Sequence, residues 1–402
     1  MISSDDKNYF IYNQYGNNRM MPIGPIGIIP LIGSVEFAAS VNDFLCKRRT
    51  EYLENQPDAD DLSPGFIRRD YRVSVNNLRF SSGEGKAVIN STVRGHDVFI
   101  ITDVLNHSCT YRMFGFDNHM SPDDHYMDLK RVILAISGKA RRINVVMPFL
   151  YESRQHKRNT RESLDCAHML EELYDLGVHN IITFDAHDDR VANAVPIGGF
   201  ENIGAAYQII KAMVRCTNDL HFEEGRMMVV SPDEGGIPRA MYYASMLGVP
   251  LGTFYKRRDY TQVINGRNPI IAHEFLGDSV EGMDILIVDD MISSGESMID
   301  IASELKGRKA NRIFCAATFG LFTDGLEHFQ KAYENGIIHK VFATNLIYRR
   351  PELLQQEWFV DVSMAKFVAL LIDAINHDAS LSSLIDPTEK IRTLLQNRDK
   401  CT

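Results

Sequence analysis

The chain predicts an α/β fold with mainly parallel sheets divided between two domains, on three observations. Short β-branched runs alternate with amphipathic stretches from about residue 98 onward, the pattern of strand-helix repetition. The 402 residues suit two domains, each large enough for its own core. Polar clusters follow strand after strand, as expected where ligands collect beyond the carboxyl ends of a parallel sheet.

Taken in order, residues 1–22 read as an extension, and the apolar stretch from Pro22 to Val35 is broken by Gly and Pro. Val98-Phe99-Ile100-Ile101 is a strand; the stretch Asn106 to Asp124, rich in Gly, Asn, Asp and Pro, reads as a long loop insertion. Further strands are expected at 145–149, 181–184, 227–230, 285–288 and 313–317. A helix carrying Met169, Leu170, Leu173 and Leu176 is expected to stop at Gly177, and one from Met298 to Leu305 at Gly307, each glycine suiting a left-handed C-terminal cap. Met364, Phe367, Val368, Leu371, Ile372 and Ile375 recur at helical spacing, so a late helix packs one apolar face on the body.

Composition narrows the function. At 45% apolar and 24% charged the chain is an ordinary soluble globular protein, and a net charge of −10 argues against broad nucleic-acid binding, which needs a basic face. The six cysteines lack metal-type spacing and fit a reducing cytoplasm. An acidic, polar start and the absence of a long apolar run predict neither signal peptide nor membrane span.

Five strand ends carry chemistry. Ile285 to Val288 lead into Asp289-Asp290 and then Ser293-Ser294-Gly295-Glu296-Ser297. Hydroxyls, backbone amides and a helix start hold a phosphate there, while paired carboxylates need ribose hydroxyls or a magnesium ion to face. No Lys-Ser or Lys-Thr follows the glycine, which excludes the lysine-bearing phosphate loop. After Phe184 comes Asp185-Ala186-His187-Asp188-Asp189, suited to a divalent ion; after Val230 comes Ser231-Pro232-Asp233-Glu234-Gly235-Gly236, with Asp233 placed for a metal. After Phe149 comes the basic run Arg154-Gln155-His156-Lys157-Arg158, pointing to polyphosphate. After Phe254 comes Tyr255-Lys256-Arg257-Arg258 and a polar stretch to Asn268, suited to a mobile loop closing over a reacting phosphoryl group. An ordinary solvated loop or capped turn accounts for each cluster singly; their joint position at strand ends favours a site.

These motifs resemble the ribose-phosphate pyrophosphokinases, over about Leu78 to Ala374. The resemblance implies two phosphoribosyltransferase-like domains, each with a mainly parallel sheet flanked by helices: 23–195 on the ATP side, joined by a 361–378 helix, and 196–360 on the ribose 5-phosphate side, with 1–22 and 379–402 as extensions. It implies that Asp289, Asp290, Ser293, Ser294, Gly295, Glu296 and Ser297 hold ribose 5-phosphate, and that His187 and Asp233 ligate Mg2+. Arg154, Gln155 and His156 stand where the family contacts ATP, and Arg79-Phe80-Ser81-Ser82-Gly83-Glu84 is similar to the family's adenine loop, which reaches a neighbouring subunit's ATP, placing Phe80, Ser82 and Glu84 there. Lys256 and Arg258 match the flexible-loop pair that stabilises the transition state. The family usually has Asp at the positions of Ser82, His156 and Ser293, and Gly at that of Glu296. Ser293 thus removes a carboxylate near the sugar, and Glu296 adds one beside a phosphate, where repulsion is expected unless it turns outward or meets a cation.

The expected activity is magnesium-dependent pyrophosphoryl transfer from ATP to ribose 5-phosphate by a cytoplasmic homo-oligomer, dimer or hexamer, with no nucleic-acid or membrane partner. A phosphoribosyltransferase consuming phosphoribosyl pyrophosphate shares the sugar-phosphate cradle. A non-catalytic synthetase-associated subunit is the third reading, motivated by the four departures.

Overall fold

The computed structural model describes residues 21–54, 65–158, 160–217, 219–258 and 270–399. The chain divides into two compact units: Met1–Ile203 with Leu346–Tyr348 and Met364–Asp386, and Gly204–Asn345 with Arg349–Ser363 and Pro387–Thr402.

The first unit is built on β1 (Ile26–Pro30), α1 (Val35–Glu54), β2 (Val75–Arg79), β3 (Gly85–Ile89), β4 (Asp97–Ile101), β5 (Thr110–Met113), β6 (Phe116–His119), α2 (Pro122–Ile136), β7 (Arg142–Val146), α3 (Asp165–Asp175), β8 (Asn180–Phe184) and β9 (Gly199–Ile203). Its five-stranded sheet has the order β1-β4-β7-β8-β9, and every pairing is parallel. Ile28, Phe99, Ile100, Val145 and Ile181 are wholly buried, the continuous apolar strands of a sheet covered on both faces. Two antiparallel hairpins, β2-β3 and β5-β6, lie outside this sheet.

The second unit comprises α4 (Ala206–Cys216), β10 (Met227–Ser231), α5 (Ile237–Leu247), β11 (Leu251–Arg258), β12 (Ile270–Leu276), β13 (Asp284–Ile292), α6 (Glu296–Gly307), β14 (Ile313–Gly320), α7 (Glu327–Glu334), β15 (Lys340–Thr344) and β16 (Phe359–Val362). Its seven-stranded sheet, β12-β11-β10-β13-β14-β15-β16, is parallel except for the β11-β12 edge pair. The chain then runs into α8 (Ala365–Asn376), which belongs to the first unit, followed by α9 (Ser382–Ile385) and α10 (Thr388–Asp399). No helix among the described residues is long and apolar enough to cross a membrane. The described cysteines, Cys46, Cys109, Cys166, Cys216 and Cys315, are free thiols.

Several expectations are corrected. The stretch 106–124 is not a loop: it forms the β5-β6 hairpin and the start of α2, whose N-cap Ser121 makes a reciprocal capping box with Asp124. Phe114 (φ 49) and Gly115 (φ 84) supply the two positive-φ residues of a tight hairpin turn, a role usually signalled by Asn-Gly. β7 ends at Val146, not Phe149, just before Pro148, which has no amide to extend the ladder. Gly177 (φ 89) is left-handed as expected after α3, but Gly307 is the last residue of α6 and Lys309 (φ 66) takes the left-handed position. Five residues of the broken apolar stretch, Ile26–Pro30, become the strand β1, buried but for its last residue. Residues 1–20 of the extension lie outside the described residues.

Candidate active site

β13 continues through Asp289 and Asp290 to Ile292, because β14 pairs with it along that length: Asp289 faces Ala317, and Ile292 faces Gly320. The two carboxylates are therefore part of the strand and not of the loop. Asp290 is buried (5% exposed) and Asp289 half-buried. Burial first, and then the neighbouring Asp290 charge, push the Asp289 carboxyl well above the usual carboxylate range, while Arg239 on the first turn of α5 opposes them. The acid pair folds back on its own backbone, Asp289 Oδ1 accepting from the Asp290 amide at 2.8 Å and Asp290 Oδ1 from the Met291 amide at 2.9 Å.

The turn that follows is set by packing. Gly295 caps α6 with φ 88, and a Cβ there would lie 2.1 Å from the Phe329 ring. Phe329 is itself stacked on Trp358 (5.4 Å between centroids, 21° between planes), whose indole Nε1 donates to Gln330 Oε1 at 2.9 Å. Backbone bonds from Thr323 to Ser293 O and from Leu321 to Ile292 O hold the loop against the start of the next connection. Glu296 and Ser297 open α6, and both are exposed. What results is a hydroxyl-lined turn at the N-terminus of a twelve-residue helix, next to two carboxylates.

At the end of β10, Asp233 is half-buried: its Oδ1 accepts from the Gly236 amide at 3.1 Å, and its carbonyl accepts from Ser231 Oγ at 2.7 Å. A Cβ on Gly236 would lie 2.7 Å from Ser231 Oγ, so a side chain there would displace that hydroxyl from its bond to the Asp233 carbonyl. Lys256 and Arg258 occupy the last positions of β11, with Cα partners His273 and Ile270 on β12, so they stand on a β-arm and not on an open loop. Residues 259–269, the remainder of the expected closing loop, lie outside the described residues.

In the first unit the loops after β7 and β8 are joined. His156 Nε2 lies 3.2 Å from Asp188 Oδ2, its Nδ1 lies 3.2 Å from Ser153 O, and its ring centroid is 5.5 Å from that of His187. Hydrogen bonds from Arg190 hold the Asp188 carboxyl well below the usual carboxylate range, against its burial. The His187 loop leaves β8 through Asp185 at φ 38 and is pinned to β9, where Asn202 accepts from the Ala186 amide at 2.9 Å and donates to Asp189 at 2.6 Å. Arg154 is exposed, whereas the Gln155 side-chain amide donates to Ser163 O at 2.8 Å. At the tip of β2-β3, Phe80 is 55% exposed and Ser82 Oγ donates to Glu84 Oε2 at 2.8 Å.

Sequence reasoning missed Arg239 and Arg190. Arg190 had a signal in its spacing two residues after Asp188; Arg239 had none, since only the fold brings the first turn of α5 near β13. A polar hollow of about 390 Å³ lined by Asp219, Arg226, Asp284 and Arg312 opens at the amino ends of the second sheet. There Arg312 is bonded to both Asp219 and Asp284, so the charges satisfy one another. Among the described residues no three His, Cys, Asp or Glu side chains gather closely enough to hold a metal by themselves. The half-buried Asp233 carboxylate is an oxygen donor of the kind a hard divalent cation takes, one or two carboxylates being commonly completed by substrate phosphates and water.

Known proteins agree with this architecture. The family described as the N-terminal domain of ribose phosphate pyrophosphokinase matches residues 69–177, and the phosphoribosyl transferase domain family matches residues 198–340. The ribose-phosphate pyrophosphokinase of Shewanella oneidensis is 30% identical over 315 residues, spanning 76% of this chain and 89% of the relative. That of Vibrio cholerae is 29% identical over 314 residues, spanning 77% and 90%. The phosphoribosylpyrophosphate synthetase structure from Mycobacterium smegmatis superposes with a TM-score of 0.68 at 22% identity, covering 88% of this chain and 99% of that one, which shows the shared fold.

Proposed function

Because the chain belongs to the ribose-phosphate pyrophosphokinase family, we propose that it transfers the pyrophosphoryl group of ATP to the 1-hydroxyl of ribose 5-phosphate. The hydroxyl oxygen attacks the β-phosphorus, the bond from that phosphorus to the α-phosphate oxygen breaks, and phosphoribosyl pyrophosphate and AMP leave. One observation carries the reading: a buried strand delivers two carboxylates to a hydroxyl-lined turn at a helix N-terminus. An anion suits the helix start, and vicinal ribose hydroxyls donate to Asp289 and Asp290. Ser293, Ser294, Gly295 and Ser297 then take the 5-phosphate, with Glu296 directed to solvent.

Phe80, Ser82, Glu84, Arg154, Gln155 and His156 form the ATP side of this reading. By the family resemblance His187 and Asp233 would each serve as a ligand of Mg2+, which would neutralise charge on the triphosphate. Lys256 and Arg258 stabilise charge developing on the transferred group; such transfer depends on placement and electrostatics more than on a strong base. A homo-oligomeric cytoplasmic enzyme is part of the same proposal, and the free described thiols are consistent with a reducing compartment.

The test is AMP formation from ATP, ribose 5-phosphate and magnesium. Pyrophosphate release with a nucleobase, and no AMP, would instead mark a phosphoribosyltransferase. In Lys256→Ala we expect kcat to fall about 10²- to 10³-fold with substrate KM values little changed, the cost of removing one transition-state donor. Undiminished AMP formation by that variant would remove Lys256 from the mechanism.

A further inference from the structure

We propose that the β5-β6 hairpin is a brace that presets the 80–84 loop for nucleotide binding, with Tyr111 and Met113 as its positioning residues. The role given to the brace rests on the reading of that loop as an ATP contact; the brace itself rests on geometry.

Along β5 the side chains alternate, Thr110 and Arg112 exposed, Tyr111 and Met113 half-buried. The inward pair meets the β2-β3 hairpin. The Arg79 guanidinium lies over the Tyr111 ring at 5.1 Å, and the Met113 sulfur seats against Gly83, where an added Cβ would come within 2.5 Å of it. At the tip, the Phe114 amide donates to Ser81 O at 2.9 Å, one strand tip bonding directly to the next. Beneath them the buried Asp128 of α2 accepts from Arg79 and from Arg131 (2.8 Å to the latter), fixing the guanidinium that stacks on Tyr111.

The base of the brace is rigid as well. Met120 N bonds Cys109 O at 2.8 Å, and Asn106 donates to Gly33 O at 2.9 Å and accepts at its own carbonyl from His125 across 2.9 Å. A two-stranded hairpin is marginal in water by itself; β2-β3 packs on α2 along β3, and β5-β6 adds support at its exposed tip. Each contact with β5-β6 removes conformational freedom that nucleotide binding would otherwise have to remove, and preorganisation of this kind acts on affinity more than on chemistry.

The test uses the full chain and the double variant Tyr111→Leu, Met113→Ala, with amide hydrogen exchange and steady-state kinetics side by side. Exchange across 80–84 is expected to quicken at least tenfold with β4 and β7 unchanged. KM for ATP should rise at least fivefold, while kcat and KM for ribose 5-phosphate stay within twofold. Unchanged exchange at 80–84 overturns the brace, as does quickening that spreads equally to β4 and β7. Quickened local exchange with an unchanged KM for ATP supports the brace and overturns the nucleotide reading of the loop. To separate loss of the brace from loss of the hairpin itself, Tyr111→Phe serves as the conservative variant, keeping the ring under Arg79 and both readouts within twofold of the native chain.

Discussion

Asp289 and Asp290 stand side by side where water is largely excluded, so the folded state holds one of them in an unfavourable ionised form or keeps its proton. The sign follows from the raised Asp289 affinity for a proton, caused by burial and then by Asp290. Below the unfolded value of about 3.9 both states are protonated and the group is neutral in its effect. As pH climbs from there through the raised folded value, the unfolded carboxylate ionises freely and the folded one does not, so stability is progressively lost. Asp289→Asn is therefore expected to raise Tm by a few degrees at pH 8 and by almost nothing at pH 4, read by calorimetry of the ligand-free protein. The same substitution should raise KM for ribose 5-phosphate at least tenfold. A variant that lost sugar affinity without gaining stability at pH 8 would mean that the like-charge conflict is relieved some other way. His156 illustrates a different residue-scale result: both ring nitrogens face acceptors inside the protein, Ser153 O and Asp188, so the proposed contact with ATP would run through the ring face or through the loops it joins.

The turn from β13 to α6 shows what the chain text discloses about an element and what it hides. Ile285 to Val288, the hydroxyls and Gly295 were legible because burial, polarity and glycine each have a local cause. Hidden was the strand's continuation through the carboxylates, which depends on β14 offering partners as far as Gly320. Equally hidden was the reason for Gly295, the Phe329 ring beneath it supported by Trp358, more than thirty and sixty residues downstream. The β5-β6 hairpin escaped notice because Phe-Gly, not Asn-Gly, makes its turn, and the arm bearing Lys256 and Arg258 because basic residues disguise the end of β11, which runs on past its pairing with β10 against β12 alone. Gly295→Ala combines a positive φ with a 2.1 Å clash. We expect it to cost at least about 1 kcal/mol in denaturant unfolding of the second unit and to raise KM for ribose 5-phosphate several-fold. Relief by Phe329→Leu, which opens space under the new methyl, would distinguish the clash from the backbone term; if Phe329→Leu restores nothing, the positive φ alone accounts for the loss.

At the scale of the whole chain, the first unit is not contiguous: it closes only when α8 returns after the whole second sheet has been made. The apolar repeat of that helix was plain in the text, but not its charged anchor. Arg49, 1% exposed, donates to Asp373 at 3.1 Å, to Asn376 at 2.8 Å and to Phe66 O at 3.2 Å, and lies 4.2 Å over the Phe66 ring. Burial pushes the Asp373 carboxyl up, but Arg49 and Arg48 outweigh it and hold it down to about 2. A depressed carboxylate contributes stability that is complete above its unfolded value of about 3.9 and is lost as pH falls toward the folded one. Native protein is therefore expected to lose first-unit stability between about pH 4 and pH 2, followed by exchange protection on β4 and β7. Asp373→Asn should flatten that slope while lowering stability at pH 7 by about 3–5 kcal/mol, because it strands a buried guanidinium. A chain ending at residue 363 should leave α1 without its partner and the first unit unfolded at pH 7 by exchange, while the second sheet keeps its protection. If that truncated chain showed native protection on β4 and β7, the returning helix would be an ornament on an already complete unit, and the Arg49–Asp373 pair would have no claim to be its closing contact.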